Sequence, residues 1–281
     1  AWLSFRGHIQ VGQLISFAYL SNAVTQLLGS FQGFAYARQE YKNACYLVNE
    51  ILDFSMETLQ IQQENLDGIV ALDHVNFGFH EERKVISDVS LEISKGRKIA
   101  FTGASGSGKS TLIKLIAGLY LVRDGRIHIG FDRISYLDQE QFLLPVSVAE
   151  NIRGGQEGLL QEDIQNAARW AGIAEHIAEL PEGYAVSSEN WSGGEKQRLC
   201  IARMYAQRAE LLLMDEPTSA LDQEAEKYFW DNLRVWKGSQ TMVIVTHSFH
   251  SMDLFDQIYH MKHGKIIESG THEQLCSLRG D

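Results

Sequence analysis

Cysteine is scarce in this chain and never paired: Cys45, Cys200 and Cys276 stand far apart, with no C-x-x-C spacing. That argues against a disulfide framework or a cysteine-bound zinc, and it suits a reducing compartment. Basic residues are also few. Lys and Arg number 25 against 36 Asp and Glu, a net charge of −11, so a nucleic-acid-binding surface is not expected. The chain begins at Ala1 without a leader ending in a small-residue cleavage site, and the expectation is the C-terminal part of something longer. His247/His250 and His260/His263 have the spacing of metal ligands. Neither pair has an acidic helix around it, so neither is read as a metal site.

The most uneven absence is that of charge. No Asp, Glu, Lys or Arg occurs from Gly7 to Ala37, although charged residues make up 22% of the chain. As a helix this run is about 46 Å long, enough for a hydrocarbon core of about 30 Å. Ser21, Asn22, Thr25, Gln26, Gly29, Ser30 and Gly33 recur on one side, with Leu20, Val24, Leu27, Leu28 and Phe31 on much of the rest. A soluble amphipathic helix would place Lys and Glu on its polar face. Amides, hydroxyls and small residues instead suit a membrane helix facing a bundle or a wet cavity; a buried helix of a soluble domain is the alternative. Arg38, Glu40 and Lys42 end the run, and Leu47, Ile51 and Phe54 continue a helical stripe into water. Gln60 to Gly68 is polar and reads as a linker, giving an expected division into residues 1–59, 60–68 and 69–281.

What is present is sharper. Gly103, Ala104, Ser105, Gly106, Ser107, Gly108, Lys109 and Ser110 fit G-x-x-x-x-G-K-[ST], a loop whose backbone N–H groups converge on phosphates. Lys109 supplies a charge for the β- and γ-phosphates, and Ser110 a hydroxyl for Mg²⁺. Lys98 to Phe101 reads as a buried strand before the loop, and the helix carrying Thr111 to Ile116 follows it. The chain is expected to bind ATP or GTP. Further on, Glu210 to Glu216 reads as a strand ending in two carboxylates. Asp215 there suits a hold on Mg²⁺, and Glu216 suits the base that polarises the attacking water. Between these, Ser192 reads as an N-cap, with Gly193, Gly194 and Glu195 opening a helix to about Gln207. That is a second anion-accepting helix N-terminus, more than a single nucleotide needs.

This set resembles the ATP-binding domain of an ABC transporter, with Ser192-Gly193-Gly194 as the core of the signature motif. The remaining landmarks follow in the family's order. Gln139 matches the Q-loop glutamine that senses Mg²⁺ and faces the membrane domain. Ser219 to Asp222 matches the D-loop, His247 the switch histidine that contacts the γ-phosphate, and Phe79 the aromatic ring stacked on adenine. The resemblance covers about residues 69–281. It implies an α/β P-loop ABC ATPase with a RecA-like core, an antiparallel β subdomain and an α-helical subdomain. It also implies ATP and Mg²⁺ as cofactors, with Ser110, Gln139 and Asp215 around the metal and Glu216, His247, Lys109 and Gln139 serving hydrolysis.

The phosphate loop, Thr111 and Phe79 would hold the nucleotide. In the family two such domains pack head to tail, which with one ATPase domain per chain implies a homodimer, or else a paired subunit, so Ser192, Gly193, Gly194, Glu195 and Asp222 would complete the site of a second subunit. Residues 1–68 resemble the end of an exporter's membrane domain. The resemblance therefore implies a membrane-bound ATPase subunit, its ATPase domain cytoplasmic, that exports a peptide, drug or lipid-like cargo. A soluble ABC ATPase and a non-hydrolysing ABC module are the alternatives. The pattern departs from the family in several places. Trp191 stands for the usual leucine of the signature, Glu195 for its usual glutamine, and Asp138 for a common proline. The stretches Gly125–Ile134 and Gly183–Asn190 are short.

Overall fold

The computed structural model describes residues 11–52, 67–80, 83–122, 124–189, 191–236 and 238–278. The chain divides into two compact units, residues 1–58 and 59–281. In the first, α1 (Val11–Leu52) runs unbroken for 42 residues, with no proline to interrupt it. Its length is that expected of a helix running through the uncharged stretch and beyond it. Among the described residues no helix is long and apolar enough to cross a membrane. Ser, Thr, Asn, Gln and Gly interrupt its apolar residues along the whole helix. Residues 53–66, with Phe54 and most of the expected linker, lie outside the described residues, as do the side chains of Leu47 and Ile51.

The second unit is built on two sheets. β1 (Ile69–Phe77), β2 (Ile86–Ser94) and β4 (Asp124–Ile129) form an antiparallel sheet in the order β2-β1-β4. The larger sheet has six strands: β5 (Ile134–Leu137), β6 (Leu211–Asp215), β7 (Thr241–Val245), β3 (Lys98–Thr102), β8 (Gln257–Lys262) and β9 (Lys265–Gly270), in that spatial order. It is parallel from β5 to β8, and β9 closes it antiparallel.

Helices cover both faces, which explains the near-continuous apolar runs of its central strands. Successive side chains point to opposite faces, and the core divides accordingly. Ile99, Phe101, Leu211, Leu213, Val243 and Val245 pack with α2 (Lys109–Ile116) and the antiparallel sheet. Ala100, Leu212, Met214, Met242 and Ile244 pack with the other helices. These are the short α3 (Val148–Arg153), α4 (Gln161–Trp170) and α5 (Ala174–Glu179), then α6 (Gly193–Ala206) and α7 (Gln223–Val235). α8 (His272–Leu278) follows β9. The α/β class and its three parts, a parallel core, an antiparallel β part and a helical part, are those expected. Four neighbouring parallel strands, β5, β6, β7 and β3, end on the same edge, the edge where open α/β sheets bind ligands.

Candidate functional site

The phosphate loop leaves β3 at Thr102 and enters α2 at Lys109. Gly103 has φ 136° and Gly108 φ 104°, angles that L side chains rarely adopt. Space is as restrictive as backbone angle. A Cβ on Gly103 would run into the Met261 carbonyl oxygen, and one on Gly108 would lie 2.8 Å from Ile86 Cδ1 and 3.0 Å from the Val85 oxygen. Ala104, Ser105 and Gly106 form the exposed tip. Ser107 is buried behind them, with its hydroxyl oxygen unpartnered. Lys109, also buried, donates to the carbonyls of Gly103 at 2.9 Å and Ala104 at 3.0 Å, crossing the loop from within. Burial pushes its ammonium pKa down, against the opposing pull of Glu216 and Asp215.

Ser110 and Thr111 open the first turn of α2. The Ser110 hydroxyl donates to Asp215 Oδ1 at 3.1 Å, joining this helix to the end of β6. Asp215 is fully buried, and its Oδ2 has no hydrogen-bond partner. Burial raises its pKa, the Ser110 hydroxyl opposes that, and the charges of Glu216 and Asp138 raise it further. A buried carboxylate oxygen left without a donor, beside a serine hydroxyl, is an oxygen-only environment that fits a hard cation such as Mg²⁺. Among the described residues no three His, Cys, Asp or Glu side chains gather to hold a metal alone. The donor set is therefore of the kind that phosphate oxygens complete.

Glu216 follows Asp215 with φ 46°, a strained value for a non-glycine residue. Two residues from neighbouring strand ends hold its carboxylate. Gln139 Nε2 donates to Oε2 at 3.0 Å, and His247 Nε2 lies 3.2 Å from Oε1. Gln139 comes from the loop after β5 and His247 from the end of β7, with β6 between them in the sheet. The departure at Asp138 has a local effect: Oδ1 accepts the Gln139 N–H at 2.8 Å, and Oδ2 pairs with Lys114 at 3.3 Å.

The signature residues form a second cluster. Ser192 caps α6: Glu195 N–H donates to its Oγ at 3.4 Å, and Glu195 Oε2 accepts the Ser192 N–H at 2.7 Å. Gly193 opens the helix. A Cβ on Gly194 would sit 3.0 Å from the Ala220 oxygen, so glycine lets α6 approach the turn before α7. Asp222 caps α7, its Oδ1 accepting from Ala225 N–H at 2.8 Å. Among the described residues no hydrogen bond or ion pair joins Ser192, Glu195 or Asp222 to the phosphate loop. Phe79 is an exposed ring beside Phe77 and Tyr120, edge-on to both at 5.2 and 5.4 Å.

Two side chains of this region escaped the sequence reading. Gln197 is fully buried; it donates to the Glu216 carbonyl at 3.3 Å and accepts from Ala220 N–H at 2.7 Å. It thus ties α6 to both the carboxylate turn and the following loop. Nothing in its local sequence marks it, since a glutamine on a helix is ordinarily a solvated residue. His176 on α5 pairs with Glu195 at 3.1 Å, and its ring meets Trp191 edge-on at 5.4 Å. Only the three-dimensional packing brings it to the signature.

Residues 86–219 match the ABC transporter family. A Staphylococcus aureus protein named as a multidrug export ATP-binding/permease protein is 35% identical over 80% of this chain and 41% of its own length. The mesentericin transport/processing ATP-binding protein of Leuconostoc mesenteroides is 34% identical over 100% of this chain and 41% of its own. A solved bacterial Atm1-family ABC exporter with ATP bound superposes with a TM-score of 0.71 at 32% identity, over 75% of this chain and 40% of that one. Over residues 86–219 the chain carries an ABC transporter domain, and along most of its length it is similar to these export proteins. It spans about two fifths of the length of these relatives.

Proposed function

We propose that this chain is the ATP-hydrolysing part of an ABC exporter subunit, working as a head-to-tail pair with a second subunit. The observation that carries this reading is the position of Glu216, held between Gln139 and His247 directly after the buried Asp215. A carboxylate so oriented is suited to polarise the water that attacks the γ-phosphate. Lys109 would exchange the carbonyls of Gly103 and Ala104 for phosphate oxygens, and the unpartnered Ser107 and loop N–H groups would line the cradle. Phe79 offers a flat apolar face for adenine. Mg²⁺, held by Ser110, Gln139 and, through its orphaned oxygen, Asp215, would neutralise charge on the β- and γ-phosphates.

The separation of the two clusters supports the pairing. Among the described residues the signature cap makes no bond to the chain's own phosphate loop, which suits a cap that meets ATP held by a partner, as the resemblance leads one to expect. Ser192, Gly193, Gly194, Glu195 and Asp222 would then face the partner's nucleotide. ATP favours closure only through its greater affinity for the closed pair, and hydrolysis to ADP and phosphate releases it.

A membrane role for α1 rests on its surface and on the family's architecture. Phe17, Leu20, Val24, Leu27, Leu28 and Phe31 are exposed. Ser16, Thr25 and Ser30 return their hydroxyls to carbonyls one turn back, at 2.9, 2.9 and 3.0 Å. Hydroxyls satisfied inside the helix are cheaper to place beside lipid or a helical partner. The ATPase domain would lie on the cytoplasmic side, and the names of the relatives support a drug- or peptide-like cargo. The test is ATP turnover by the full-length protein in lipid, wild type beside Glu216→Gln, with candidate cargos added. Turnover that is abolished in the variant and rises with one cargo supports the reading. Equal, cargo-blind rates in both overturn it.

A further inference from the structure

We infer that His176 is a positioning residue of the signature motif and sets its charge, making ATP capture by the paired subunits dependent on pH. The inference rests on the head-to-tail reading above, in which the N-terminus of α6 receives the partner's γ-phosphate. Both residues in which this signature departs from the usual pattern touch the same imidazole. Glu195 pairs with His176 Nε2 through Oε1 at 3.1 Å, and Trp191 packs edge-on against its ring at 5.4 Å. The Trp191 indole N–H is tied in turn to the Ser187 carbonyl at 3.1 Å.

The other oxygen of Glu195 is committed to the Ser192 N–H at 2.7 Å. A carboxylate thus already occupies the helix end where a phosphate is to arrive, and the two anions repel. Burial alone would raise the Glu195 pKa, but the hydrogen bonds of Ser192 and the charges of His176 and Arg198 hold it below the ordinary carboxylate value. The carboxylate is therefore favoured, and neutralising it falls to its neighbours. A glutamine at this position would raise no such difficulty. With Glu195, an imidazolium at His176 offsets the charge, and a neutral imidazole does not.

The charged groups nearby are Arg198 on α6, Glu175 and Glu179 on α5, Arg169 on α4 and Asp222 before α7. Glu175, Arg169, Arg198 and Asp222 line one hollow together with Glu224 and Tyr228. The neighbouring turn contributes Glu182 and Tyr184, whose phenol burial pushes up. None of these is an imidazole, the side chain whose charge changes between about pH 5 and 8.

The experiment measures half-saturating ATP and kcat separately for the full-length protein in lipid, at about pH 6 and about pH 8. It compares wild type, His176→Gln, Glu195→Gln and the double variant. Titration of ATP itself is common to all four and cancels in the comparison. Wild type is expected to need about threefold more ATP at the higher pH, the scale of a half-exposed ion pair. His176→Gln should need the larger amount at both pH values. Glu195→Gln and the double variant should need the smaller amount at both, the second change rescuing the first. An equal pH slope in all four overturns the inference and leaves the proposed function standing. If the wild type shows no ATP turnover, both fall. If His176→Gln does not fold, Glu195→Gln decides alone: a retained slope overturns the inference, and a lost slope supports it.

Discussion

His247 Nε2 lies 3.2 Å from Glu216 Oε1, although 31 residues separate the two in sequence. With Gln139 on the other oxygen, the carboxylate is fixed in direction by its two neighbours. Fixed direction is what a general base needs, because misorientation costs rate even when its proton affinity is right. Replacing His247 by Ala is therefore expected to lower kcat by about 10²-fold, comparable to the loss of one preorganised polar contact in an active site. ATP binding to the phosphate loop should survive. Steady-state kinetics beside equilibrium binding of a fluorescent ATP analogue checks the split, and an unchanged kcat would remove His247 from the machinery.

Gly103→Ala should both destabilise the domain and abolish nucleotide binding. The new Cβ meets the Met261 carbonyl at a backbone angle that alanine adopts only under strain, and each such strained residue costs about 1–3 kcal/mol. Gly106→Ala is the control: its Cβ would meet nothing within 4 Å, leaving the cost of its φ of 78° alone. Thermal melting and ATP binding of the two variants should rank Gly103→Ala as the more damaged.

Asp215 carries a pH signature. Its folded pKa is raised, first by burial. A raised carboxyl pKa means that the folded state binds the proton more tightly than the unfolded state does. The stability it contributes is present below the unfolded pKa and is lost as pH rises through the folded value. At neutral pH Asp215 is thus a cost, one that the role towards Mg²⁺ proposed above would account for. Asp215→Asn keeps an oxygen for the Ser110 hydroxyl and removes the charge. It should raise the Tm of the nucleotide-free protein near pH 7 by about 2–4 °C, the scale of 1 kcal/mol in a domain of this size. The gain should vanish at acid pH, and Mg²⁺-dependent ATP turnover should fall. A lower Tm near pH 7 would contradict the argument.

Gln197→Ala is expected to cost about 1–3 kcal/mol, because the Ala220 N–H loses its buried acceptor and the Glu216 carbonyl a donor. Glu216 sits at the strained turn this amide supports, so kcat should fall with stability. Chemical denaturation and ATPase assays on the same preparation check both. Gln197→Glu would bury a carboxylate that faces the Glu216 carbonyl acceptor to acceptor, and should not restore the loss.

The sequence alone determined what a few consecutive residues can encode. A phosphate loop is local: its glycines supply angles and clearance that other residues deny, and the strand before it and helix after it are written in adjacent apolar runs. The Ser192 cap and the buried carboxylate strand were legible for the same reason. The continuity of α1 was legible too, since its uncharged stretch holds no proline. Only the tertiary structure decided which side chains meet. Gln139, Glu216 and His247 converge because β5, β6 and β7 lie side by side and end on the same edge, an order of strands that no single segment specifies. Gln197 and His176 acquire their partners through helix packing, where burial turns an ordinary amide and an ordinary imidazole into groups that must be satisfied.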